Sequence, residues 1–248
     1  MQLLKTLITI KLDKDFISIL VAILGTTISP YLFFWQASME VENKKKMKRD
    51  LVVNKRIINE MRKDVDFGML FSNLVMFFII LTTGSVLFKG GIHKIDTVEQ
   101  AAQALKPLAG RAAYLLFATG VIGTGLLAIP VLSGSLSYIV TESFGWKEGL
   151  DKKFQKAKAF YIIIAISLIL GLSMIYFGIS PIKALIYSAI LYGLTAPVLI
   201  AIILHISNNK KIMGKNINGR ISNILGFAAL SLMTADGIML IYMLLKGK

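Results

Sequence analysis

Residues 25–49 read GTTISPYLFFWQASMEVENKKKMKR: an apolar run interrupted near Gly25 that stops on a block of lysines and Arg49. Gly25 allows the backbone unusual freedom, and Pro30 lacks an N–H while its ring crowds the carbonyl one turn earlier. Thr26, Thr27 and Ser29 carry hydroxyls that bond to nearby backbone groups in competition with a regular helix. Together these residues predict an unwound segment inside an apolar span. Irregular backbone at that depth is tolerated only against protein or a water-filled cavity. In secondary transporters such a break marks the substrate site, where freed carbonyls bind a cation and helix ends supply dipoles. A proline kink with its hydroxyls satisfied internally is the competing expectation.

The surrounding composition says what kind of span this is. Of 248 residues, 55% are hydrophobic and 17% charged, against about 25% charged in a soluble domain. Six stretches reach the roughly 20 apolar residues that cross a bilayer as helix: 16–36, 68–88, 113–140, 160–179, 184–206 and 224–245. Backbone groups cannot stay unpaired in lipid, so all six are expected to be helices. The chain therefore reads as one all-α polytopic membrane domain over 1–248, its first span, 16–36, interrupted. A basic loop follows at 37–67, and a further loop at 89–112 carries a short helix. Thr97 with Gln100 three residues later has the spacing of a capping box that opens that helix.

The net charge of +14 does not point to nucleic acid, because the basic residues cluster between apolar runs. Lys44, Lys45, Lys46, Lys48 and Arg49 fall in one loop, Lys152, Lys153, Lys156 and Lys158 in another, and Lys210, Lys211, Lys215 and Arg220 in a third. These loops lie on one side of the membrane, which the positive-inside rule makes the cytoplasm. Both termini then lie outside, an arrangement that leads us to expect further helices upstream. The chain has no cysteine, which excludes disulfides and thiolate chemistry. Without a nucleophile–base pair or a metal-ligand motif on facing helices, it is expected not to be an enzyme.

The stretch LGTTISPYLFFWQASMEVE resembles the sixth helix of the natural resistance-associated macrophage protein (NRAMP) family of divalent-metal transporters. DFGMLFSNLVMFFIILTTGSVLF and LLFATGVIGTGLLAIPVLSGSLSYIVTESFGW resemble the seventh and eighth helices of bacterial members. The resemblance implies a leucine-transporter-like fold of two inverted repeats, with this chain holding helices six to eleven and lacking the first five. It implies a metal held at mid-membrane by an Asp-Pro-Gly-Asn motif of helix one and by a carbonyl and a methionine of helix six. Here the carbonyl position is Thr26, the methionine position Ser29, the proline Pro30, and the position of a proton-linked histidine Tyr31. Tyr192 and Thr195 stand where family members often carry glutamines, and Asn73 is expected to line a gate.

Each departure carries an expectation. No Asp-Pro-Gly motif precedes an apolar span, so the main anionic ligand is missing and the chain alone is expected not to transport. Replacing sulfur by the Ser29 oxygen favours harder ions, Mn²⁺ or Mg²⁺, as in the magnesium-handling branch that also lacks the methionine. With Tyr31 at that position there is no imidazole, the side chain that titrates near neutral pH, so proton coupling is expected to be lost or weakened. His93 and His205 are expected to be solvated or interfacial, Asp236 structural. The small residues of GVIGTGLLAIPVLSGS are expected to bring helices close. No resident cofactor is implied, the divalent ion being cargo. The partners implied are the lipid bilayer, expected to be that of a bacterial cell membrane, and a separate N-terminal half. The rival readings are a non-transporting remnant, one subunit of a split transporter, and an amino-acid transporter of the same broad fold.

Overall fold

Asp13 opens the first helix: its carboxylate accepts the Phe16 N–H at 2.8 Å, and Asp15 follows in the first turn, where negative charge suits the helix dipole. In the computed structural model, residues 13–47, 55–88, 91, 95 and 97–246 are described. Helix α1 spans Lys14–Ile28 and α2 spans Pro30–Met47. Helix α3, Lys55–Thr83, finishes in a π-helical turn, Gly84–Phe88. Short helices α4, Val98–Ala102, and α5, Lys106–Ala109, are joined and followed by 3₁₀ turns. Long helices then return: α6 Ala113–Ser143, α7 Lys158–Tyr176 and α8 Pro181–Asn208. A single turn, α9 Lys210–Met213, precedes α10, Arg220–Lys246.

Among the described residues there is no strand, and six helical stretches are long and apolar enough to cross a membrane. These are Lys14–Glu42, Asn59–Phe88, Gly110–Ser143, Lys158–Tyr176, Pro181–Asn208 and Arg220–Lys246, one for each expected span. The chain is an integral, all-α, polytopic membrane protein.

The region 37–67 differs from the expected loop. Helix continues through Met47 and resumes at Lys55, so the described part of this basic segment is helical. Lysine and glutamate are good helix formers, and a helix once nucleated extends at little cost past the apolar stretch. Lys48, Arg49 and His93 lie outside the described residues. In the 89–112 segment, Thr97 and Gln100 cap α4 reciprocally, through Gln100 N–H to Thr97 Oγ1 at 3.3 Å and Thr97 N–H to Gln100 Oε1 at 3.4 Å.

The chain divides into two compact units, Met1–Pro30 with Lys183–Lys248, and Tyr31–Ile182. In the first, Ile17 and Val21 of α1 are buried with Leu240 of α10, against Ile190 and Leu194 of α8 and Met239 and Met243 of α10. In the second, Tyr138 of α6 is buried with Ala157 and Phe160, and Trp35 and Met39 of α2 pack on them. Gly134 makes room there: a Cβ would sit 2.3 Å from the Trp35 ring. The other small residues of α6 behave differently. Gly120 and Gly123 face open space, so among the described residues close packing is confined to the second half of that stretch.

Candidate functional site

The interrupted span is broken at one residue. Ser29 adopts φ 45°, ψ 71°, the left-handed region that a β-carbon disfavours, and separates α1 from α2. The proline explains why the break falls here. In a continuous helix the Thr26 carbonyl would accept from the N–H of residue 30, and Pro30 has none. The Ser29 hydroxyl donates to the Thr26 carbonyl instead, while the Ser29 N–H reaches Gly25 O at 3.0 Å. Pro30 then occupies the first position of α2, where a missing N–H costs nothing.

The broad unwinding expected over 25–30 is therefore replaced by a one-residue interruption. Thr26 and Thr27 stay helical because their hydroxyls donate back to the Ile23 carbonyl, at 2.9 and 2.8 Å, which a helix accommodates. Gly25 is helical as well, and its role is spacing. A Cβ there would lie 2.2 Å from the backbone N of Gly193, and one on Gly193 would lie 2.3 Å from the Val21 carbonyl oxygen. Helices α1 and α8 thus touch backbone to backbone, in the manner of small-residue crossings in membranes.

That contact joins two places singled out from the sequence, the break in α1 and the part of α8 that carries Tyr192 and Thr195. Tyr192 and Thr195 flank Gly193; Thr195 is exposed, and its hydroxyl donates to Leu191 O at 3.0 Å. Tyr31 lies half-buried in the first turn of α2. Asn73 belongs to the other unit, exposed on α3, with its amide donating to Met69 O at 2.7 Å. Gly193 was not among the expected site residues. The sequence signal for it is a glycine within a turn of Pro197 in an apolar helix, which marks close approach without naming the partner.

Chemically, the break is an oxygen-rich pole. The hydroxyls of Thr26, Thr27 and Ser29 have committed their protons to backbone carbonyls, leaving oxygen lone pairs as outward donors. The C-terminal end of α1 carries the negative end of its dipole, and no basic residue in its last turn offsets it. Negative charge is what this pole lacks. Asp13 and Asp15 lie at the far end of α1, roughly 20 Å away by helical rise. Asp236, half-buried on α10 in the same unit, makes no hydrogen bond or ion pair among the described residues. No group of three or more Asp, Glu, His or Cys able to hold a metal is present among them.

The second unit holds a polar cluster that sequence reasoning missed. Tyr138 donates its hydroxyl proton to Glu42 of α2 and accepts the Leu150 N–H at 3.2 Å. Glu42 also accepts the Asp151 N–H at 2.7 Å, and Ser38 donates to Glu142 at 2.9 Å. The Asp151 carboxyl shares a hydrogen bond with Glu42, which raises its pKa above the ordinary aspartate value. The cluster fastens the segment after α6 to α2. A carboxylate just before a run of lysines was the available signal, but charge order alone points equally to a solvated face.

Comparison with known proteins bears on both units. The family described as natural resistance-associated macrophage protein-like matches residues 2–243. A divalent metal cation transporter MntH from Caldanaerobacter subterraneus subsp. tengcongensis is 26% identical over 239 residues, 95% of this chain and 53% of that protein. The protein of the same name from Clostridium acetobutylicum is 24% identical over 244 residues, 98% of this chain and 53% of its own length. For that from Yersinia enterocolitica the values are 23%, 86% and 48%. The chain spans about half the length of the curated relatives it matches.

Proposed function

Because this chain belongs to the natural resistance-associated macrophage protein-like family, we propose that it takes part in moving divalent metal cations across a membrane, supplying the oxygen donors of the cation site. The observation that carries this is the end of α1. A left-handed Ser29, a proline-orphaned Thr26 carbonyl and three proton-committed hydroxyls meet at the negative pole of a helix inside an apolar span. Thr26 through its carbonyl and Ser29 through its hydroxyl are the donors; rotation of the Ser29 side chain frees both at once. Gly25, with Gly193 across from it, sets how closely α8 approaches. Thr27, Pro30, Tyr31, Asn73, Tyr192 and Thr195 shape the break and the pathway.

Hydroxyl and carbonyl oxygens suit hard ions, so Mn²⁺ and Mg²⁺ are the cargo this donor set favours. Neutral oxygens alone repay poorly the desolvation of a divalent ion at bilayer depth. An anionic ligand from a separate segment therefore completes the site, and Tyr31 leaves transport without a titrating imidazole beside the break. The setting is a bacterial cell membrane with the basic segments cytoplasmic.

Metal uptake in cells tests this. Expressed alone, the chain is expected to give no ⁵⁴Mn²⁺ uptake above background; co-expressed with the part of the Caldanaerobacter relative outside the match, it is expected to restore uptake. Uptake by the chain alone would remove the need for an outside anion. No uptake from the assembled pair, with both parts folded in the membrane, would overturn the transport reading.

A further inference from the structure

At the end of the first unit away from α1's start, the last turns of α8 and the first turns of α10 enclose an open groove of about 530 Å³. Its wall is apolar, formed by Ala201, Leu204, Phe227 and Leu230, and its rim is polar, with His205 and Asn223. The groove is built by specific contacts. A Cβ on Gly226 would lie 2.6 Å from Leu204 Cδ2, so the bare glycine lets Leu204 sink between the helices as a floor. At the mouth, Asn208 and Asn223 exchange amide hydrogen bonds at 2.9 and 2.7 Å, holding the two helices at a fixed spacing. Asn218 ties the connecting segment to Ser207 Oγ at 3.0 Å.

The charge beside this groove has one sign. Lys210, Lys211, Lys215 and Arg220 are all exposed in the connection between α8 and α10. No Asp or Glu occurs between Lys152 and Ala235. An apolar wall running into a membrane span, topped by amides, an exposed histidine and unopposed cations, matches a molecule with a hydrocarbon tail and an anionic head. We propose that this groove binds an anionic phospholipid, its acyl chain along Leu204 and Phe227 and its phosphate held at His205 and the basic connection. Basic residues at a membrane surface attract anionic lipid headgroups. A zwitterionic lipid matches the wall without the charge, and free phosphate matches the charge without the wall. A second copy of this chain would bring the same cations against these.

The test uses the full chain in nanodiscs of mixed phosphatidylcholine and phosphatidylglycerol, with retained lipid counted by native mass spectrometry. Phosphatidylglycerol is expected to be retained over phosphatidylcholine by about tenfold. The preference is expected to vanish in K210Q/K211Q/R220Q and, with charge untouched, in Ala201→Phe, which fills the groove. Ala201→Leu is a milder block should the larger residue impair insertion. K153Q/K156Q/K158Q, removing equal charge elsewhere, is expected to keep the preference, and glycerophosphate is expected not to displace the lipid. Equal retention of both lipids would overturn the proposal, as would retention indifferent to Ala201 variants. So would displacement by glycerophosphate, or a groove-filling variant that changes the oligomeric mass while lipid retention stays.

Discussion

Ser29 is a residue whose side chain and backbone both serve the break. Its hydroxyl takes up the carbonyl that Pro30 orphans, and its left-handed backbone turns the chain without a glycine. Restoring sulfur there tests the hardness argument: Ser29→Met in the assembled transporter is expected to shift binding toward Cd²⁺ over Mg²⁺ by about tenfold, since thioether prefers the softer ion. Competition measured by isothermal titration would read it, and an unchanged ratio would show that Ser29 does not face the ion. Gly193 makes a separate prediction. Ala at this position drives a methyl into the Val21 carbonyl, and overpacking of this kind costs about 1–3 kcal/mol. Thermal unfolding in detergent should show a lower midpoint for Gly193→Ala, and a wild-type midpoint would mean that α1 and α8 slide apart freely. Both residues sit in stretches picked out by sequence, yet only coordinates separate the residue that turns the chain from the one that lets a neighbour in. Thr26, Thr27 and Ser29 look alike in sequence; their hydrogen bonds differ by which carbonyl Pro30 leaves open.

Elements differ in how much of them a sequence reveals. The six long helices follow from apolar length alone, because a bilayer allows little else. The helical extension of α2 through Met47 was hidden, since polar helix formers look the same in a loop as in a helix that overshoots the membrane. The fastening of α2 to the segment after α6 was hidden too, because Glu42 and Asp151 are far apart in sequence. This contact carries a pH prediction. The Asp151 pKa is raised in the folded protein by its hydrogen bond to Glu42, so the folded state holds a proton more tightly than the unfolded chain. The resulting stability is fully present below the ordinary aspartate value and is lost as pH rises through the raised one. Proteolysis of the segment following Ser143 is expected to speed up across that window in the wild type. In Asp151→Asn, which keeps the backbone N–H to Glu42 and cannot titrate, the rate should be flat after correction for the protease's own pH profile. An equally steep profile in the variant would assign the effect to another group.

For the whole molecule, the arrangement of spans makes a sidedness prediction that the absence of cysteine renders direct to test. Single cysteines in place of Gln155 and Lys211 are expected to escape an impermeant maleimide in intact cells and to react once the membrane is opened, whereas one in place of Phe177 is expected to react in intact cells. Labelling of Lys211→Cys and Phe177→Cys from one side would break the six-span topology. Sequence by itself determined that this is a polytopic helical membrane protein with a break near Pro30, because hydrocarbon thickness, backbone pairing and the missing proline N–H act on any chain in lipid, whatever its neighbours. Its motifs also carried the family resemblance. The tertiary structure decided that Gly25 meets Gly193, that the Thr26 carbonyl is covered by Ser29, and that Leu204 sinks over Gly226 to floor a groove. Those outcomes depend on which helix faces which, and the apolar residues that drive insertion are interchangeable enough to leave that choice open until backbones and side chains meet at van der Waals distance.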